Sequence, residues 1–590
     1  MTILTWEEKA QAKQASAAAK IPAEWRLPAS IQTKLTQDQT TNVLDIPAQS
    51  GILTARELEI TETTDATSLL AKLANQEYTS VEVTTAFCKR AAIAQQLTNC
   101  LTETFFDVAL TRAKELDDHL ATTGTTLGPF HGLPISLKES FNITGIPTSL
   151  GFISWLDRPI PTANSTVVEV LLAAGAVLYV KTNIPQTMMT AESHNNVFGR
   201  TLNPYRLNLT AGGSTGGEGA LIALRGSLLG VGSDIGGSIR IPSICCGITG
   251  FKPTAGRVPF AGQPVAGRRG LTGIAPVAGP LCHSIRDADL FMRVMAESNP
   301  DDLDDMAFGI PWSQPPLPAN KPLAIGLLPE DPARPYHPNM QRTLTAATKK
   351  LAAAGHRIID LAGKTPSLQE VGKLAFHFFN MDPDRTLLGH VTAGGEPVVP
   401  SLKALFPPDS KEPEPTLREL YDINIAKADI CVAMRKVFLE NGLDVILGAG
   451  YQSCAVPHDT FGVPLYTLLP NLVDVCFLPP PPPFFFFISG NIVVIEMEIH
   501  CDANDGQYPA SIIPFGKAEE VADKAFVRDV EYIPECKFPV RLVGWVMLMV
   551  ADNPKEVEGA PCHVQLIGRR LKDEKLVQHS KVIEDILRAP

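Results

Sequence analysis

The N-terminal part of the chain follows a helical rhythm. An Ala/Lys/Gln-rich stretch from Trp6 to about Lys20 reads as helix, and Pro-containing loops follow it. Leu53-Thr-Ala-Arg-Glu-Leu-Glu-Ile and Thr64-Asp-Ala-Thr-Ser-Leu-Leu-Ala-Lys-Leu carry capped, amphipathic helix signals, and helical pattern continues through Ser80–Leu101 and Thr104–Ala121. Residues 1–60 are thus expected as a helical extension ahead of a domain spanning 61–590. From Leu127 the rhythm changes. Leu133–Leu137 reads as a strand, Thr166–Ala174 as a helix, Val177–Lys181 as a strand, and Glu218–Val231 as a buried helix leading into a short strand. Apolar strands alternating with helices predict one large α/β domain, with a mixed, mostly parallel sheet covered by helices on both faces. Between 310 and 450, long helices are interleaved with the Pro-rich pieces Trp312–Pro322 and Pro407–Pro415.

Two glycine-rich stretches bracket the buried helix. Thr210-Ala-Gly-Gly-Ser-Thr-Gly-Gly-Glu-Gly-Ala enters it, and Gly232-Ser-Asp-Ile-Gly-Gly-Ser-Ile-Arg240 leaves the strand behind it, so Ser214 and Ser238 each end a Gly-Gly-Ser step. Paired glycines permit positive φ and close approach of another group. Successive N–H groups of Ile235, Gly236, Gly237 and Ser238 can then converge on an anion, as an oxyanion hole requires. Plain turns or a phosphate cradle at a helix start fit a single such loop equally well. No Gly-Lys-Ser/Thr follows, which removes a P-loop, and the spacing of Gly212-Gly-Ser-Thr-Gly-Gly is not that of a dinucleotide-binding turn. Upstream, Gly132-Leu-Pro-Ile-Ser-Leu-Lys138-Glu-Ser ends an apolar strand in a lysine. Burial of an ammonium is costly, so desolvation lowers its pKa and yields an amine usable as a general base. A snorkelling lysine, or one paired with Glu139, fits the same residues.

These three motifs, in this order and at this spacing, resemble the amidase signature family, above all its fungal acetamidase-like and fatty-acid-amide-hydrolase-like members. The resemblance runs from about residue 60 to the C-terminus with two interruptions. It implies a Ser–cis-Ser–Lys triad: Ser238 as nucleophile, Ser214 as proton relay, Lys138 as base, with oxyanion donors at Ile235, Gly236, Gly237 and Ser238. Met188, in the loop Thr182–Met188, would line the site beside the nucleophile, although a methionine there also suits a core. The implied substrate is a small-molecule amide, the intermediate an acyl-enzyme, with no metal and no cofactor, and a homodimer is compatible with the family. Arg240 is expected to anchor its turn by hydrogen bonds. His458 invites a histidine-base reading, but the lysine already fills that role and no carboxylate stands out to orient the ring. Cys562, in the closing strand, is expected in the core. Two other readings are an amidotransferase-type subunit acting with partners, and a non-catalytic binding protein disabled by its insertions.

Composition narrows the partners. Of the 590 residues, 45% are hydrophobic, enough for a sizeable core, and a net charge of −12 opposes nucleic-acid phosphates. Met1-Thr-Ile-Leu-Thr-Trp-Glu-Glu-Lys lacks the basic start and apolar run of a signal peptide. Eleven cysteines without a C-x-x-C pair predict free thiols in a reducing, cytoplasmic compartment.

Two segments break the pattern. Residues 475–507 hold a polyproline run followed by four phenylalanines, too short and interrupted to span a bilayer. A retained intron explains them better than a docking motif or a membrane-touching loop. Val475-Cys476 can be encoded GTATGT, a donor; the Pro/Phe run is what a pyrimidine tract translates to; Gln507 can be CAG, an acceptor. Removal joins Asp474 to Tyr508 and restores the family pattern. Cys536 to about Asp552 behaves alike, with GTAAGT available across Cys536-Lys-Phe. Both intervals are multiples of three nucleotides, so translation passes through them. If translated, they are expected to interrupt core strands and cost stability.

Overall fold

The computed structural model describes residues 4–313, 321–405, 414–473, 484–488, 491–495, 508–523, 526 and 555–589. Its centre is an 11-stranded sheet. In chain order the strands are β1 (Leu101–Thr104), β2 (Pro134–Lys138), β3 (Val177–Thr182), β4 (Leu229–Asp234), β5 (Thr249–Lys252), β6 (Val277–Cys282), β7 (Ala324–Leu327), β8 (Arg357–Asp360), β9 (Val445–Gly448), β10 (Ala510–Lys517) and β11 (Pro561–Ile567). In space they run β1-β3-β2-β4-β6-β5-β10-β11-β9-β7-β8. The expected mixed α/β sheet is present, with its parallel pairs in two separate groups. β3, β2 and β4 are parallel, as are β9, β7 and β8. Every other neighbouring pair is antiparallel. Strand–helix alternation holds at the flanks, where crossovers enforce parallel pairing, while the central antiparallel pairs join strands that no tight hairpin connects. "Mostly parallel" is therefore corrected to mixed with an antiparallel centre.

β2, β3, β6 and β11 are buried at every position, which requires cover on both faces. The helix α1 (Trp6–Ala19) begins in a capping box between Thr5 and Glu8. Its Lys13 pairs with the buried Glu103 of β1, and Lys9 lies 2.6 Å from Asp157. Ile21, Leu27, Leu35, Val43 and Leu53 share the core cluster of the sheet, so residues before 60 pack as part of the domain body rather than as an appendage. The pattern-based helix over Ser80–Leu101 ends earlier: α2 is Ser80–Thr98, stopped by Asn99 in the left-handed conformation, and the edge strand β1 begins at Leu101.

Most of 475–507, all of 536–552 and parts of both Pro-rich pieces lie outside the described residues. Within the first segment, Phe484–Ile488 and Asn491–Ile495 pair with each other in a two-stranded sheet apart from the large one. Neither interval interrupts a strand of the large sheet, contrary to expectation. One falls between the helix Leu465–Leu472 and β10, the other between β10 and β11.

Candidate active site

β2, β3 and β4 lie side by side, and the residues of β2 alternate across the sheet. Ser136 and Lys138 consequently face the same way, toward the helix α3 (Gly216–Ala223) and the turn that enters it. Lys138 Nζ lies 2.6 Å from Ser214 Oγ and 2.9 Å from Ser233 Oγ at the end of β4. Lys138 is fully buried and Ser214 nearly so. The Gly213–Ser214 peptide is cis, as the resemblance implied for this serine. Glu139 points to the opposite face, 3.1 Å from Lys181, so the alternative reading of a Lys138–Glu139 pair is not met.

Burial lowers Lys138 from 10.5 to about 7, against the opposing pull of Asp234 and Glu218. Glu218 is also fully enclosed, and burial raises it to about 8. Its Oε2 accepts from Ser136 Oγ at 2.6 Å and its Oε1 from Thr182 Oγ1 at 3.1 Å. A Cβ on Gly230 would collide with Glu218 Oε2 and stand 2.7 Å from Ser136 Oγ, so glycine is what lets the carboxyl lie against β4.

Ser238 sits in the turn between β4 and the helix α4 (Arg240–Cys246), 9% exposed, so its environment opens slightly to solvent. Asp234 organises this turn. Its carboxylate accepts from Gly237 N at 2.8 Å, Ile239 N at 3.1 Å, Asn471 Nδ2 at 2.9 Å, and Arg240 through Nε at 3.1 Å and Nη2 at 3.0 Å. Burial alone would raise Asp234, but Arg240, Lys252 and Asn471 bring it down to about 2. Arg240 reaches on to Gln565 at 2.9 Å and Asn471 at 2.5 Å, the anchoring role expected of it. One site expectation is corrected: the Gly237 N–H is committed to Asp234, which leaves Ile235, Gly236 and Ser238 as the amides of this turn available to a ligand. Gly237 has φ 129°, and a Cβ there would strike Thr467 Oγ1, whose hydroxyl also donates to Gly236 O at 2.7 Å.

Met188 has φ 61° and packs with Leu150, Phe152, Ile184 and Val391 in a small apolar cluster. Cys562 is buried in β11, as expected. His458 does have a carboxylate partner, which sequence reading missed: Nδ1 is 2.8 Å from Glu192 Oε1, while Nε2 is 3.0 Å from Leu207 O. Both ring nitrogens are therefore engaged away from Ser238. Asn471, Gln565 and Glu192 carried no motif; Ser233 and Ser136 lie inside the two motifs, and Ser136, two residues before Lys138 on one strand, also had a positional signal. Among the described residues no group of His, Cys, Asp and Glu could hold a metal ion, and no helix is long and apolar enough to cross a membrane.

The family described as Amidase matches residues 82–382. An amidase from Gibberella moniliformis is 37% identical, over 100% of both chains. An acetamidase from Emericella nidulans is 36% identical over 99% of this chain and 98% of its own. Among solved structures, a fatty acid amide hydrolase aligns with a TM-score of 0.82 and 29% identity, covering 99% of this chain and 95% of the other.

Proposed function

The chain belongs to the amidase family and is an amidase, and from that premise we propose that it cleaves a small carboxylic acid amide through Ser238, Ser214 and Lys138. The observation that carries this reading is the buried 2.6 Å contact between Lys138 Nζ and Ser214 Oγ, with the same Nζ 2.9 Å from Ser233 Oγ at the end of the strand that leads into the turn bearing Ser238. With a pKa near 7, Lys138 is substantially an amine at neutral pH. It takes the Ser214 proton as Ser214 takes that of Ser238, and the Ser238 oxygen forms a bond to the amide carbonyl carbon. Negative charge gathers on the carbonyl oxygen, to which the N–H groups of Ile235, Gly236 and Ser238 donate. The carbon–nitrogen bond then breaks, and the same relay returns a proton to the departing ammonia or amine. Water, deprotonated by the relay, releases the acid from the acyl-enzyme. Likeness to an acetamidase over nearly the whole chain favours acetamide and similarly small amides as substrates.

Ammonia release from acetamide and a short panel of amides tests this, with Ser238→Ala as control. Loss of turnover by at least ~10³-fold is expected; activity within about tenfold of the parent would refute the nucleophile assignment.

We also propose that residues 475–507 and about 536–552 derive from retained introns. Support comes from the splice-like strings that their residues can be encoded by, and from the large sheet, whose strands are drawn entirely from residues outside both intervals. Sequencing the mature transcript decides the matter; a message that keeps both intervals sinks the idea.

A further inference from the structure

We propose that His458 is a positioning residue for the proton relay, a clamp that holds in register the two backbone segments carrying the Ser214 turn; the proposal rests on the triad reading above. Three segments meet here. The first is 190–193, the second the strand Arg206–Thr210 running into Gly212, and the third the loop 456–459. The turn rests directly on the first: a Cβ on Gly213 would stand 2.5 Å from Thr190 O and 2.8 Å from Glu192 N. Ser193 N donates to Gly212 O at 3.1 Å, and Gly216 N donates to Ser193 Oγ at 2.9 Å. The second segment delivers the turn covalently, with Gly212 N donating to Thr210 Oγ1 at 3.0 Å.

The third segment joins the other two. Thr210 N donates to Val456 O at 2.8 Å, and Leu209 bridges Pro457. The His458 ring then spans the gap, reaching Glu192 Oε1 on one segment through Nδ1 and Leu207 O on the other through Nε2. Both partners are oxygen atoms on different backbone segments, so the ring links the two. Asp459 N closes the second Glu192 oxygen at 3.1 Å. Arg200 faces the same group, 2.7 Å from Asp459 and 3.6 Å from Glu192, and its guanidinium contacts His194 Nδ1 at 3.2 Å. Burial would raise the Glu192 carboxyl, but His458 and Arg200 hold it below its ordinary value. A relay serine whose hydroxyl must meet Lys138 and Ser238 together depends on this frame, because a displacement of about 1 Å at a reacting group can cost 10²-fold in rate.

The test uses the full chain and a fluorophosphonate that titrates reactive serines. Labelling of the parent that is absent from Ser238→Ala establishes the site; no labelling of the parent would overturn the triad reading and the clamp with it. Given labelling, His458→Ala is expected to lower kcat per titrated site by about 10–100-fold with KM within about threefold. Glu192→Gln, which keeps one acceptor oxygen, is expected to fall in the same direction by about tenfold, and it decides the question if the alanine variant does not fold. A purely structural histidine would reduce the number of titratable sites and leave turnover per site unchanged. An unchanged per-site kcat in either folded variant overturns the clamp alone.

Discussion

Replacing Lys138 with methionine should abolish activity and make the fold more stable at neutral pH. The folded lysine loses its proton near pH 7, whereas the unfolded one keeps it to about 10.5. A difference of about 3.5 units at ~1.36 kcal/mol each corresponds to about 5 kcal/mol of desolvation penalty. Between pH 7 and 10.5 the unfolded state binds one proton more than the folded state, so stability rises with pH. The penalty is fully present below pH 7 and vanishes above 10.5. Methionine carries none of it, but gives up the contacts with Ser214 and Ser233, at about 1–2 kcal/mol each. A net gain of about 1–3 kcal/mol at pH 7 remains. Urea midpoints followed by tryptophan fluorescence at several pH values measure it. The gap between variant and parent should shrink by ~1.4 kcal/mol per unit as pH rises above 7. A variant less stable than the parent at pH 7, with a gap indifferent to pH, would mean that the lysine is charged and paired, and the base assignment would fall.

Further outcomes follow from the same geometry. Glu218 is pushed to about 8 by burial and so is protonated at pH 7; Glu218→Gln should keep kcat/KM within about threefold there, and a loss above ~10² would show that a carboxylate is needed beside Lys138. Arg240→Lys cannot reproduce the two-pronged contact with Asp234 together with Gln565 and Asn471, and should cost about 3–5 kcal/mol, read as a lowered urea midpoint; an unaltered midpoint would refute the hub. Gly230→Ala forces a methyl group into Glu218 Oε2 and should reduce soluble yield or lower activity more than about tenfold, whereas parental yield and turnover would contradict the packing.

What was legible in the sequence was local. The strand ending in Lys138 was placed within one residue because an apolar run closed by glycine upstream and a polar triplet downstream leaves little choice. β1 was missed because Leu-Thr-Glu-Thr is four residues long, wedged between two helices whose periodicity runs up to it. The antiparallel centre of the sheet was not legible: β5, β6, β10 and β11 find one another through tertiary pairing that no single strand encodes. The same holds within the site. Ser136 and Lys138 share a strand face, so their partnership has a period, but Glu192 lies 266 residues from the histidine it orients. Committing Gly237 N–H to Asp234 depends on the turn's three-dimensional shape, and a string of glycines shows only that some such shape is allowed.

The anchoring of Asp234 and Arg240 has a consequence for the order in which the molecule comes alive. Lys138, Ser214 and Ser238 all leave the ribosome early, yet the turn presenting the last of them is braced by Asn471 and by Gln565 near the end of the chain. The turn bearing Ser238 therefore gains its full set of braces only once the final strand, with Gln565, has docked. Both suspected introns fall between Asn471 and Gln565, yet the brace closes across them in the 590-residue chain, so their presence does not by itself part these two side chains from Arg240.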